Sequence, residues 1–261
     1  GNAAFEVNNV DNVSVFGSRT RIYCVDHDIT TYGGLMAFRF KNCNGTRISG
    51  FDFDMTFTGA KDSASFYPNC GAIVAVDESD ADGQASADLN GDFVAFDNTF
   101  KLFHPNGQYQ QSNNAYAGDS NNGYKMYGIT FLGATDGDTY AEQSRNVSVF
   151  RNTFKEGHNG YGIWVWAANN VNVSDNTFES WVGKYSNAAG AVAGAGVPAI
   201  RNHQFLCAQV KVTDNTFRAK PSSERTAAGF EGNGGFLGLA QNLNGATNDI
   251  TDGMYTFTGN S

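Results

Sequence analysis

Three stretches of this chain are close copies of one another: Asn146-Val-Ser-Val-Phe-Arg-Asn-Thr-Phe154, Asn170-Val-Asn-Val-Ser-Asp-Asn-Thr-Phe178 and Gln209-Val-Lys-Val-Thr-Asp-Asn-Thr-Phe217. A fourth ends in Val94-Ala-Phe-Asp-Asn-Thr-Phe100, and looser relatives run from Tyr124 to Phe131, Arg47 to Phe53 and Asn12 to Phe16. Phe131 precedes Phe154 by 23 residues, and Phe154 precedes Phe178 by 24. A fixed period of this size signals a stack of coils. The wider intervals, 39 residues from Phe178 to Phe217 and 47 from Phe53 to Phe100, read as one coil with an insertion or as two coils.

Within one copy, Val171 and Val173 alternate with Asn172 and Ser174, the period-two pattern of a short strand with one buried face. Asn176 follows at a turn, where a short amide tolerates unusual backbone angles, and Phe178 returns to the apolar interior. Identical residues at one phase of successive coils stack. Asn98, Asn152, Asn176 and Asn215 are therefore expected to form an amide ladder, and the phenylalanines an aromatic one. A unit of about 23 residues cannot bury its own apolar face and needs neighbours above and below it.

The composition agrees. The 261 residues include 29 Asn, 31 Gly and 21 Phe against 8 Leu and 4 Pro, which favours pleated surface and turns over helix. Eight leucines cannot furnish leucine-rich repeats, and an antiparallel sandwich would not show this phasing. With 17 Lys and Arg against 26 Asp and Glu, nothing is available to neutralise a phosphate backbone, so nucleic acid is excluded as a partner. No apolar run approaches the roughly 18 residues of a membrane span. Cys24, Cys43, Cys70 and Cys207 lack zinc-site spacing and are read as small buried residues. Asn12, Asn44, Asn146 and Asn172 stand in glycosylation-type triplets, a chance product of Asn-rich strands.

These repeats resemble those of the single-stranded right-handed parallel β-helix, the fold of pectate lyases, polygalacturonases and phage tailspikes. The expected architecture is one all-β solenoid domain over residues 1–261, with about eight to ten coils near 23 residues each. Tyr255-Thr-Phe-Thr-Gly-Asn-Ser261 begins another repeat, aligns Asn260 with Asn215 and stops short of its closing aromatic. The C-terminal end is therefore expected to be open and the native protein to continue. Similarity to tailspikes implies a polysaccharide ligand, a homotrimer or larger assembly, and an extracellular or virion-surface location.

Function in a solenoid falls to insertions and outward side chains, because inward ones are committed to packing. Gapless alignment on Val147 and Val171 equates Thr139 to Glu142 with Ile163 to Trp166, leaving Tyr140, Glu142, Trp164 and Trp166 outward on one sheet. Two outward tryptophans two residues apart would offer a sugar-stacking platform roughly 7 Å long. The competing reading is that a loop or another subunit covers them. Extending the alignment through Phe131 and Phe154 sets Asp119 beside Glu142 on an adjacent rung, about 4.8 Å away at the backbone. Like charges so close ask for a cation, a shared proton or catalysis, and an acid pair suits glycoside hydrolysis.

Glu78-x-Asp80-x-Asp82-Gly83 resembles the oxygen-rich start of a calcium loop, although position twelve is Leu89. Val25-Asp26-His27-Asp28 and Glu156-Gly157-His158 fall short of the pectate-lyase and polygalacturonase signatures, and His203 stands alone. Lys184 and Arg201 flank a small-residue segment and would suit a lyase as base and charge neutraliser. Three functions follow: a polysaccharide-binding and polysaccharide-degrading hydrolase using Asp119 and Glu142, a calcium-dependent lyase, and a non-catalytic receptor-binding or structural fibre.

Overall fold

The alternating stretches form strands, and strands account for nearly all the regular structure. The computed structural model describes residues 2–32, 34–58, 70–76, 92–103, 126–132, 146–158, 162–166, 170–179, 181–182, 200–203, 210–218, 237–240 and 255–261. Pass one of the chain contributes β1 (Asn2–Asn8), β2 (Ser14–Asp28) and the short helix α1 (Ile29–Tyr32); pass two contributes β3 (Leu35–Lys41) and β4 (Thr46–Thr58). Pass three contributes β5 (Cys70–Val76), β6 (Phe93–Phe96) and β7 (Thr99–Phe103), and pass four β8 (Met126–Leu132), β9 (Asn146–Phe150) and β10 (Thr153–His158). Pass five supplies β11 (Ile163–Trp166), β12 (Asn170–Ser174), β13 (Thr177–Glu179) and β14 (Trp181–Val182). Pass six supplies β15 (Ile200–His203), β16 (Val210–Thr213) and β17 (Thr216–Arg218), and pass seven β18 (Leu237–Ala240) and β19 (Tyr255–Thr258).

The first strand of every pass joins one seven-stranded parallel sheet, β1-β3-β5-β8-β11-β15-β18. The rest form a twelve-stranded parallel sheet with two arms, β4-β6-β9-β12-β16-β19 and β4-β7-β10-β13-β17. The long strand β4 runs through both arms and pairs with β2 at the end of the stack. The protein is all-β with long parallel sheets, an arrangement compatible with a β-solenoid. Among the described residues no helix is long and apolar enough to cross a membrane.

Seven passes replace the expected eight to ten. Along the first sheet, the intervals Phe5 to Phe38, Phe38 to Ile73, Ile73 to Ile129, Ile129 to Ile163, Ile163 to Ile200 and Ile200 to Leu237 are 33, 35, 56, 34, 37 and 37 residues. The spacing of 24 between β9 and β12 is the shortest way round, not the rule.

From pass three onward a two-residue turn divides the second sheet's arms. Asp97, Arg151, Asp175 and Asp214 take φ of 55°, 51°, 56° and 57°, and Gly50 and Gly259 stand at the same corner with φ of 77° and 67°. The left-handed angle thus falls on the residue before the ladder asparagine, so Asn176 is free to point inward. Asn98, Asn152, Asn176 and Asn215 are all buried. The main-chain N–H of Asn152 donates to Asn176 Oδ1 at 3.0 Å, that of Asn176 to Asn215 Oδ1 at 3.0 Å, and that of Asn215 to Asn260 Oδ1 at 3.0 Å. Each Nδ2 also donates to a core-strand carbonyl, as Asn176 does to Val149 at 2.9 Å. The expected amide ladder is present, including the alignment of Asn260 with Asn215.

Two residues past Asn98, Asn152, Asn176 and Asn215 stand Phe100, Phe154, Phe178 and Phe217, which with Phe53 form one stack with successive centroids 5.1, 4.7, 4.5 and 5.0 Å apart. Such stacks add about 0.5–1.5 kcal/mol per pair beyond area burial. Beside them Val147, Val149, Val171, Val173, Val210 and Val212 fill the core, which the first sheet closes with Phe38, Phe40, Ile73, Ile129, Phe131 and Ile163. Gly128 permits this closure: a Cβ there would lie 2.6 Å from both Phe154 Cε1 and the Gly162 carbonyl oxygen.

Candidate functional site

The outer face of the first sheet differs from every other surface. Ile163 and Val165 belong to the main core, so Trp164 between them faces the opposite side. Register aligns it in an outward file with Glu6, Arg39, Val74, Thr130, Arg201 and Gly238. A second file holds Asn8, Lys41, Val76, Leu132, Trp166, His203 and Ala240. Trp164, Met36, Val74, Val76 and Tyr127 form a second buried apolar cluster there, with Ala3 against it. The Trp164 indole stacks on the Tyr127 ring at 5.1 Å. At the N-terminal end of the file Arg39 pairs with Glu6 at 3.4 Å. Thr130 is fully buried, and its Oγ1 has no hydrogen-bond partner among the described residues.

These positions correct two expectations. Trp164 does lie on the outward side, but it is only 3% exposed, so its ring is a packing residue and not an open sugar platform. The alignment of Phe131 with Phe154 also fails. Phe131 is in the first sheet and pairs with Val165, while Phe154 is in the second and pairs with Phe100 and Phe178. The strand beside Trp164 and Trp166 is therefore β8, which contributes Thr130 and Leu132 where Tyr140 and Glu142 were expected. The inference that Asp119 and Glu142 sit on adjacent rungs loses its basis.

Asp119, Tyr140 and Glu142 lie outside the described residues, as do Glu78, Asp80 and Asp82. Among the described residues no cluster of His, Cys, Asp or Glu could hold a metal ion. Trp166 occupies a described strand position, with His203 beside it on β15, and Arg201 stands beside Trp164. Sequence reading considered Arg201 and His203 separately and missed this pairing, because the 37 residues between the strands hide it.

Chain connectivity shows where the insertions join. The corner between the second sheet's arms is two residues long in passes three to six, whereas the longer connections each join one sheet to the other. Asp119 belongs to the 104–125 connection entering β8, Tyr140 and Glu142 to the 133–145 connection leaving it, and the acidic run at Asp77 to the 77–92 connection leaving β5.

Among the described residues, an ion pair with a shifted carboxyl lies at the corner of the second sheet. Arg151 donates to both carboxylate oxygens of Asp97, at 2.9 and 2.8 Å, and these hydrogen bonds hold the Asp97 carboxyl below the ordinary aspartate range. Partial burial pushes the Cys24 thiol upward and so favours its protonated form. No family model matches this chain, and no curated protein or solved structure is found similar to it.

Proposed function

We propose that the chain is a right-handed, single-stranded parallel β-helix of the pectate-lyase-like kind, closest in character to tailspike depolymerases, that binds a long polysaccharide beside its first sheet and cleaves it. The observation that supports this reading is that, among the described elements, the long connections all join one sheet to the other and so begin or end beside the first sheet, whereas the corner inside the second sheet stays two residues long. A solenoid varies its insertions where it meets its ligand. Asp119, Tyr140, Glu142, Glu78, Asp80 and Asp82 fall on those connections, and Trp164 and Trp166 on the first sheet itself.

In this reading Trp164 anchors the outer cluster, while Trp166, Tyr140, Arg201 and His203 contact the sugar. Asp119 and Glu142 approach the glycosidic bond from connections at opposite ends of β8, one as general acid and the other as base or nucleophile. Glu78, Asp80 and Asp82 would hold calcium through carboxylate oxygens, where it would serve to order the insertion or to neutralise an acidic sugar. Trimeric display on a virion or cell exterior follows from the same resemblance.

The test is release of reducing ends from bacterial surface polysaccharides. Asp119→Asn and Glu142→Gln should each abolish release while leaving the melting temperature unchanged. Unaltered activity in both would remove the acid pair from the mechanism.

A second reading, a non-catalytic fibre, draws on the burial of Trp164 against Tyr127. It predicts no fall in viscosity with any polysaccharide.

A further inference from the structure

The outer face of the second sheet's first arm carries aromatic residues that neither the core nor the glycan reading uses. Register aligns Phe16, Ser49, Phe96, Phe150, Ser174, Thr213 and Thr258 in one file, of which Ser49 is buried between its neighbours and the others are half-buried or exposed. Phe16 is 64% exposed, and the half-buried rings of Phe96 and Phe150 stack at 5.2 Å. The Arg151 guanidinium lies 4.7 Å from the Phe150 ring centre. On one side of this file the neighbouring outward file contains the exposed cations Arg47 and Lys211, and on the other the corner turn holds the exposed acids Asp175 and Asp214. None of these four has an ion-pair partner among the described residues.

We propose that this face is a contact between two copies of the chain, packed side by side with their stacks parallel. The charges choose the occupant and its direction. Rotation about an axis parallel to the stack sets the cation edge of one copy against the acid edge of the other at the same height. Lys211 then meets Asp214 of the second copy, because both belong to pass six, and the Phe96 and Phe150 rings of the two copies meet between the charged edges. Rotation that reverses the stack brings Lys211 against Arg47 instead, and like charges oppose it. Such a contact is closed and self-complementary.

Seven rungs span about 29 Å and five residues of strand about 16 Å, so each copy buries on the order of 460 Å². That is about 920 Å² in total, below the usual size of stable specific interfaces and in the range of weak, transient association.

Sedimentation velocity from about 1 to 100 μM tests this, a range that brackets such an affinity. The native chain should self-associate reversibly. Phe150→Ser, Lys211→Glu and Asp214→Arg should each weaken association about tenfold, the effect of losing one contact worth about 1.4 kcal/mol. Arginine is compatible with that turn, since Arg151 occupies the equivalent corner at φ 51°. The double variant Lys211→Glu with Asp214→Arg should recover association to within about threefold of native, because the reversed charges meet again. Circular dichroism and melting of each variant separate lost contact from lost fold, and the charge swap stands even if Phe150→Ser fails to fold. A native chain that stays monomeric throughout, or a double variant no better than its parents, overturns the proposal.

Discussion

The two sheets share one core but solve the problem of their outer faces differently. At the corner of the second sheet the same short turn recurs from pass three to pass six with its asparagine and phenylalanine at the same phase, and paired valines precede it in passes four to six. Its outer face remains open, with polar residues, a half-buried phenylalanine pair and ion pairs such as Arg21 with Asp54 and Arg151 with Asp97. The first sheet has an equally regular inner face, yet its outer face is a second apolar layer built around Trp164 and Tyr127. The contrast teaches that regularity marks the scaffold, while departures from it gather on one sheet and at its margins.

The largest expected effect lies in the shared core. Phe154→Ala opens a hole between Phe100 and Phe178 and should cost about 4 kcal/mol, read from the shift of the denaturant midpoint. A cost below about 1 kcal/mol would mean that the aromatic file does not join the two sheets.

Asn176→Ala comes next. It leaves the Asn152 N–H and the Val149 carbonyl without partners and should cost about 3 kcal/mol. The matching Asn260→Ala, at an exposed position, should cost well under half of that. Equal costs would show that the ladder is not held by burial.

Thr130→Val sharpens the contrast from the other side. The swap keeps the side-chain shape and removes a buried hydroxyl that has no partner among the described residues, so it should raise stability by about 1 kcal/mol. Destabilisation would mean that the hydroxyl is satisfied and the outer layer is polar where it is described as apolar.

The smallest effect is the pH dependence of the exposed corner. Asp97 has a lowered pKa when folded, so its contribution is present above the ordinary aspartate value and fades as pH falls through the lowered one. Arg151→Gln should therefore lower stability slightly at neutral and alkaline pH, where the pair is formed, and the difference from the native chain should vanish as pH falls below the ordinary aspartate value and through the lowered one, so that the acid limb is flatter in the variant. An unchanged acid limb would show that the pair contributes nothing in solution.

The corner was legible in the sequence because its residues do different jobs at fixed offsets. A residue at positive φ, an inward amide, an outward threonine and an inward phenylalanine recur together, as in Asp175-Asn176-Thr177-Phe178. No other local pattern imitates that set. The first sheet offers only apolar alternation, which any strand with one buried face displays. Tyr124 to Phe131 was thus read as a copy of the second-sheet repeat. It lacks the turn residue and the asparagine, and it belongs to the other sheet. The proposed adjacency of Asp119 and Glu142 fell with that one assignment.

The burial of Trp164 was hidden for another reason. Alternation gives the side of a sheet on which a residue lies but not what covers that side, and the partners Met36, Val74 and Tyr127 come from three other passes. The sequence alone therefore left the covered and open readings side by side.

The division between an open scaffold face and a covered first-sheet face can be tested with one fluorophore. The chain has three tryptophans, so Trp166→Phe with Trp181→Phe leaves Trp164 alone. Acrylamide quenching of that protein should be several-fold weaker than for free indole, with blue-shifted emission, because the ring is buried against Tyr127. Quenching as efficient as that of free indole in a fully folded sample would contradict a covered face.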